Sequence, residues 1–522
     1  MYSNIKDIQD KLWAAAEHMR ANSSLNLNQI ASPVYGLIFL KFADVKFQKA
    51  KRKLEEERSK SGKKHPITPE HFKAEGVLFV PEKASFSYLI NLSENENIGK
   101  ALNDAMKLIE DENKDLAGVL PQNYNQISSK ADENNRILIN LLKTFNQIPE
   151  DIEGDTFGLI YEFFLGKFAL SEGKNGGEFF TAPSIVKLLV EVIEPYHGRV
   201  FDPACGSGGM FVHSANFVKA HLKNNSNVMN EVSILGQEGK AETVKIAKMN
   251  LAIHGLSGNI TQANSYYEDV FGSVGKFDFV LANPPFNVAG VDKNKQVIID
   301  PSLLKEDPRY YLGLPLTGKG TISNANYLWM QIFASALNSK GRAGFVMANS
   351  ATDAGNSEMR IREKLINEDL VDVIISTPPN MFLNVTLSAT LWFLDKGKKG
   401  TDREKKVLFI NAQDIFTVVD KAHNRWTDEQ IQEIAGIVRK LRGERDAGKY
   451  EDIPGRCKVA TINEIKENGY SLNPGRYIEI VEKEMDNVEF EARMKELSRD
   501  LKTLIEEAHK LENKIEKDWS KL

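Results

Sequence analysis

Cysteine is nearly absent. Cys205 and Cys457 are the only two in 522 residues, too few for a disulfide framework and without the CxxC spacing of a zinc site. That usage fits a reducing, cytoplasmic setting. A basic excess is missing too: 67 Lys+Arg against 72 Asp+Glu leave a net charge of -5 and a pI near 6.1. A protein that grips nucleic acid unaided usually carries a clear basic surplus, because phosphate neutralisation dominates affinity. The balance argues against a free-standing DNA or RNA binder and leaves room for a nucleic-acid enzyme whose partner supplies affinity. No run of about 18 apolar residues occurs, so no membrane span is expected. The first residues lack the charged-then-apolar order of a secretory signal. No histidine has metal-ligand spacing, and no metal is expected.

What is present is ordinary globular material: 42% hydrophobic and 27% charged residues. At roughly 100–200 residues per domain the length implies about three domains. Residues 1–150 read as helical. Ile8, Leu12, Ala15 and Met19 repeat at helical spacing, as do Ile98, Leu102, Met106 and Ile109, and then Ile137, Leu138, Leu141, Leu142 and Phe145. Ser32-Pro33 reads as an N-cap with proline at the first helical position, and Gly76–Val80 is the one strand signal. From about 155 onward, short apolar runs alternate with helical stretches. Strands are expected at Arg199–Asp202, Ser233–Glu238, Asn259–Ala263, Phe277–Ala282, Ala343–Ala348, Leu370–Ile375, Ala389–Leu394 and Val407–Asn411. Alternating β and α elements imply a parallel sheet covered on both faces. Residues 287–323 interrupt that rhythm as a long loop, of a length that usually bears function or mobility. Near the end, Phe490, Met494, Leu497, Leu501, Leu504, Ala508, Leu511 and Ile515 step by 4, 3, 4, 3, 4, 3, 4. That is a coiled-coil seam, which packs on its own domain or on another subunit.

Three motifs carry chemistry. Phe201-Asp202-Pro203-Ala204-Cys205-Gly206-Ser207-Gly208-Gly209-Met210 lies between a strand and an apolar helix. Its glycines allow a tight turn and close backbone approach. Asp202 gives it a carboxylate, which suits a cationic or hydroxyl-bearing ligand such as S-adenosylmethionine. Cys205 reads as a small buried residue, since a reactive thiol needs an activating neighbour. Glu238 ends the next strand, where an acid commonly accepts from ribose hydroxyls. Asn283-Pro284-Pro285-Phe286 follows a later strand. There an amide oxygen and a proline carbonyl are two fixed acceptors, and Phe286 is a stacking face. The set fits a planar substrate carrying an exocyclic amine, with positioning supplying much of the rate.

In that order, Asp202–Gly209 and Asn283–Phe286 resemble motifs I and IV of the gamma class of amino-methylating DNA methyltransferases. Gly177-Glu178-Phe179-Phe180-Thr181-Ala182-Pro183 is similar to the segment that closes over the cofactor in that class, although Ala182 separates Thr181 from Pro183 where the pattern has them adjacent. With its helical start and tail, most of the chain resembles the modification (M) subunit of type I restriction-modification systems. Thr377-Pro378-Pro379-Asn380-Met381-Phe382 resembles a later motif of that subunit.

The resemblance implies an α/β fold. It consists of a Rossmann-like S-adenosylmethionine-dependent methyltransferase sheet (151–475), a helical N-terminal domain (1–150) and a C-terminal coiled-coil-like helix for assembly (476–522). It implies methylation of adenine N6 in double-stranded DNA, with the base flipped because N6 is inaccessible in a stacked pair. The implied partners are a specificity (S) subunit, with two M per S, and restriction (R) subunits. Asn283, Pro284, Pro285 and Phe286 would hold the adenine. Glu178, Phe179, Phe180, Thr181, Ala182, Pro183, Asp202, Gly206, Ser207, Gly208, Gly209, Glu238 and Asn264 would hold the cofactor. A protein glutamine or an RNA base also offers a planar amine, so both remain alternative substrates, and a non-catalytic effector-binding module is a third reading. Gly313–Gly320 approaches a phosphate-binding P-loop, but Gly320 stands where Ser/Thr is needed and no apolar strand precedes it. A lysine- and glycine-bearing loop of that kind suits contact with DNA phosphates instead.

Overall fold

The computed structural model describes residues 2–21, 27–61, 66–93, 96–131, 136–148, 156–172, 181–221, 231–382, 386–420 and 422–479. Of the tail it describes 494–495, 497–499, 501–502, 504–506 and 508–512. The chain divides into two units, Met1–Ile478 and Glu479–Leu522.

The first unit is built on nine strands: β1 (Gly198–Asp202), β2 (Val232–Glu238), β3 (Asn259–Gln262), β4 (Phe277–Ala282), β5 (Leu337–Ala348), β6 (Val371–Ser376), β7 (Ala389–Asp395), β8 (Lys406–Asn411) and, after a small hairpin of β9 (Thr417–Val418) with β10 (Asn424–Arg425), β11 (Cys457–Thr461). Their order is β11-β8-β6-β7-β5-β4-β1-β2-β3. β7 lies antiparallel between β5 and β6, and β11 is antiparallel to β8. The other pairings in the sheet are parallel. Helices pack on both faces, which is why the strand cores read as nearly unbroken apolar runs rather than alternating ones. All six residues of β6 and all seven of β7 are buried. Every strand expected after residue 155 is present. β11 escaped notice because Cys457-Lys458-Val459-Ala460-Thr461 is a short, half-polar edge strand.

The N-terminal helices, including the 35-residue Leu27–Ser61, enclose a separate core with Leu37, Ile38, Phe39 and Leu40 at its centre. The helix Thr156–Glu172 packs its aromatic residues into this core. Two local expectations fail. Pro33 lies inside the long helix rather than at its start, because Ile30 and Val34 on either side are both fully buried and extend the apolar stripe backwards. Residues 77–80 form no strand. Instead the Asn113 side chain donates to the Phe79 carbonyl at 2.9 Å and accepts from its N–H at 3.1 Å, replacing a neighbouring strand.

In the second unit, the described residues between 494 and 512 are helical, and Leu497, Leu501, Leu504 and Leu511 are exposed. Phe490 and Ile515, the ends of the expected seam, lie outside the described residues. Among the described residues, no helix is long and apolar enough to cross a membrane.

Candidate functional site

β1 pairs with β2 on one side and β4 on the other. The chain leaves β1 toward β2 and returns to β4 across it, so the strand order reverses there. In open α/β sheets such a switch point opens a crevice at the carboxyl ends of the strands. A cleft of about 1260 Å³ occupies that place. Its sheet-side lining includes Asp202, Gly206, Ser207, Gly209, Glu238, Asn264 and the Asn283-Pro284-Pro285 run. N-terminal residues such as Tyr35, Pro121, Glu162 and Phe168 complete the wall.

The turn after β1 is shaped by its backbone. Gly206 and Gly208 have φ of 51° and 82°, a left-handed conformation that costs a side-chain-bearing residue roughly 1–2 kcal/mol. Nothing lies within 4 Å of where a Cβ would stand on Gly206 or Gly209, so the turn presents bare backbone to the cleft. The Glu238 carboxylate braces it, accepting from the Gly206 N–H at 3.1 Å and the Lys240 N–H at 3.0 Å. Asn250, fully buried on the helix Ala241–Ile253, donates to the Ser207 carbonyl at 2.9 Å. Asn250 left no signal in the sequence, because its role depends on helix packing. Burial pushes the Asp202 carboxyl well above the usual carboxylate range, despite an N–H from Ala204 at 2.9 Å. A cation in the cleft would restore its charge. Burial also raises the Cys205 thiol well above its usual value, consistent with an inert residue.

The tetrad leaves the end of β4. Asn283 donates its amide N–H to Thr181 Oγ1 at 2.7 Å, which turns its nitrogen toward Thr181 and its oxygen the other way. Thr181 and Pro183 both line the cleft. Ala182 is the N-cap of the helix Pro183–Ile193, with proline at its first position, so the extra residue lets the arm reach Asn283 before the helix begins. Glu178, Phe179 and Phe180 lie outside the described residues. Phe286 is half-buried and packs against the cores on both faces of the sheet, while Asn283 to Pro285 line the cleft. Thr377–Phe382 follows β6 and is not among the lining residues. Met381 and Phe382 are buried, and Asn424 holds the Pro379 and Asn380 carbonyls at 2.9 and 2.8 Å.

The tetrad is fixed from 40 residues away. Asn287 is left-handed, with φ of 60°. Its N–H donates to Asn326 Oδ1 at 2.7 Å, and its Oδ1 accepts from Asn326 at 3.1 Å and Asn324 at 3.3 Å. Asn326 is 1% exposed and opens the helix Asn326–Ala336. The 287–323 loop is built rather than loose. Arg309, 2% exposed, pairs with Asp307 at 2.6 Å and donates to the Ser265 carbonyl at 2.8 Å. Tyr310 donates to the Tyr266 carbonyl at 2.6 Å. The loop thereby clamps the segment after β3 that contains Asn264. Asn264 itself caps this turn, accepting from the Tyr266 N–H at 3.1 Å. Among the described residues, no His/Cys/Asp/Glu group is arranged to hold a metal ion.

Comparison with known proteins places this architecture. Residues 152–486 match the N-6 DNA methylase family, and residues 8–145 match the HsdM N-terminal domain. The chain is 38% identical, over 98% of its length and 90% of the relative's, to the type I restriction enzyme MjaIX methylase subunit of Methanocaldococcus jannaschii. It is also 38% identical to the HindI methylase subunit of Haemophilus influenzae, over 81% of this chain and 92% of that one. A type I methyltransferase subunit from Streptococcus thermophilus has the same fold, with a TM-score of 0.73 at 23% identity, covering 91% of this chain and 100% of the other. Sheet, cleft and sequence kinship lead to one assignment: the chain belongs to the N-6 DNA methylase family, among the methylase subunits of type I restriction enzymes.

Proposed function

We propose that this chain methylates N6 of adenine in double-stranded DNA, using S-adenosylmethionine, as the modification subunit of a type I complex. The observation that carries the reading is the shared cleft. The glycine turn of β1 and the Asn283-Pro284-Pro285 run of β4 open onto one cavity from neighbouring strand ends. Its volume of about 1260 Å³ exceeds the roughly 300–1,000 Å³ of usual small-ligand pockets, leaving space for a cofactor and an extruded base together.

The residues fit that cofactor. Bare backbone at Gly206 and Gly209 admits its methionine end, the buried Asp202 suits an ammonium, and Glu238 suits ribose hydroxyls. We assign Asp202, Gly206, Ser207, Gly208, Gly209, Glu238, Asn264 and the Glu178–Pro183 arm to holding it. When bound, S-adenosylmethionine supplies a methyl group on a sulfonium. Asn283 Oδ1 and the Pro284 carbonyl accept the two amine hydrogens of the flipped adenine and aim its nitrogen. Pro285 stiffens the run. Phe286 stacks on the base, which requires its ring to turn from its packed position toward the cleft. We further propose the division into 1–150, 151–475 and 476–522, with the tail docking on a specificity subunit shared by two copies of this chain. Restriction subunits complete the nuclease.

The test uses the chain with its specificity subunit, radiolabelled S-adenosylmethionine and unmethylated duplex DNA. Label should appear as N6-methyladenine on digestion. The Asn283→Ala variant should lose transfer while still binding the cofactor in calorimetry. Full activity in that variant removes the site assignment. Label on a protein glutamine or on RNA establishes an alternative substrate.

A further inference from the structure

The 287–323 segment contains two hairpins that the reaction does not account for. The first closes through an isolated pairing of Val291 with Val297, and the second through Leu316 with Ile322. In the first, the Gly290 carbonyl accepts from the Ile298 and Ile299 N–H groups at 2.8 and 3.1 Å, and Asp292 Oδ1 accepts from the Asn294 and Gln296 N–H groups at 2.8 and 2.7 Å. In the second, the Thr317 N–H donates to the Thr321 carbonyl at 2.8 Å, with Gly320 left-handed at φ 78°. The hairpins are pressed together at their necks: a Cβ on Gly290 would lie 2.6 Å from Ile322 Cβ. Both necks join the tetrad, since the Ala325 N–H donates to the Val288 carbonyl at 2.9 Å and Asn324 and Asn326 hold Asn287.

Each tip presents exposed lysine: Lys293 and Lys295 on the first, Lys319 on the second. Among the described residues, none of the three forms an ion pair. Only Val291 and Asp292 separate Gly290 from Lys293, a reach of at most about 10 Å. The cationic tips are therefore tied to the residues that follow the tetrad by short, internally bonded stems. The necks lie next to the cleft along the chain, because Pro285 and Trp329, which flank them, both line it.

We infer that the two hairpins form a phosphate clamp, whose Lys293, Lys295 and Lys319 bind the DNA backbone flanking the extruded adenine. The inference rests on the proposed DNA-methylating function and adds the element that grips the duplex at the reacting base. Phosphate contacts set register rather than sequence. The clamp therefore acts on every target that a specificity subunit selects.

The experiment measures the salt dependence of the KM for DNA. It uses the complex with the specificity subunit and amplified, hence unmethylated, duplex DNA carrying that subunit's site. For the triple variant Lys293→Gln, Lys295→Gln, Lys319→Gln, the KM for DNA should rise tenfold or more near physiological salt. The slope of log KM against log salt should fall by about 2–3, since each lost contact removes about 0.9. Cofactor binding by calorimetry should be unchanged, and the matching Lys→Arg triple should restore the slope. An unchanged slope and KM in the glutamine variant overturns the clamp. So does weaker specificity-subunit assembly at an unaltered salt slope, which would make the hairpins a protein-docking surface. Either result leaves the function itself standing if Asn283→Ala is inactive. Transfer to DNA that survives Asn283→Ala counts against the site assignment and not the clamp, whereas label on protein or RNA instead of DNA overturns the function and the clamp with it.

Discussion

The glycine turn after β1 and the tetrad after β4 occupy neighbouring strand ends, yet different interactions hold them. The turn is largely self-shaped: two left-handed glycines, a Glu238 brace one strand away and one buried amide from Asn250. The tetrad has no such local logic. Its exit is set by Asn324 and Asn326 nearly forty residues later, and its entry by Thr181 about a hundred residues earlier. One half of the cleft takes its shape from ten consecutive residues and is only braced from Glu238 and Asn250, whereas the other is positioned by three distant ones.

That contrast can be broken experimentally. The largest effect should come from Asn283→Ala, which removes an acceptor from the substrate amine. Steady-state transfer should fall on the order of 10²–10³-fold, as when a positioned polar group is deleted from an active site. Next is Asn326→Leu. It removes both bonds that Asn326 makes to Asn287, the acceptor of its N–H and the donor to its Oδ1, at about 0.5–1.5 kcal/mol each. Methyl transfer should fall roughly 10–100-fold by that energy, while calorimetric cofactor affinity stays near the parent value. Equal loss of both would mean the two halves are not separable. The converse is Gly208→Ala. Forcing a Cβ to φ 82° costs roughly 1–2 kcal/mol, so cofactor affinity should drop about tenfold, with residual transfer recovered at high cofactor concentration.

The smallest effect concerns stability. His213 lies on the helix that leaves the glycine turn. Burial, then His254 and Lys187, lowers its pKa to about 4. A histidine depressed in the fold binds its proton first in the unfolded chain. Its neutral form therefore costs nothing above pH 6.5, and stability is lost as pH falls from there toward 4. Denaturant unfolding should show about 1 kcal/mol lost between pH 6.5 and 5.5 that His213→Gln does not show. An identical slope in both proteins would remove His213 from the account.

The same contrast explains what was legible in the sequence. Strands β1 to β8 could be read because a sheet covered on both faces demands apolar runs. The glycine turn, Glu238 and the tetrad could be read because each is contiguous with a strand end. Asn326, Asn250 and Arg309 could not. Each acts through a bond to a residue at least 39 positions away along the chain, and an isolated Asn or Arg has no periodicity to betray it. Pro33 misled for a related reason. The local rule for proline placed a helix start where two fully buried neighbours required the helix to continue.

The helix Ala241–Ile253 has two apolar sides. Val244, Ala247 and Leu251 belong to the core of the sheet, while Met249 and Ile253 belong to the core of the N-terminal helices. The Ile246 carbonyl accepts from Tyr161 of that N-terminal core at 3.2 Å. Such a helix ties the inheritance of the two parts together. A recombination that exchanged the N-terminal helices between relatives would meet a mismatched face on this helix, whose other side carries Asn250 beneath the glycine turn. Lineages should therefore exchange the two as a block, with variation gathering where no element is shared.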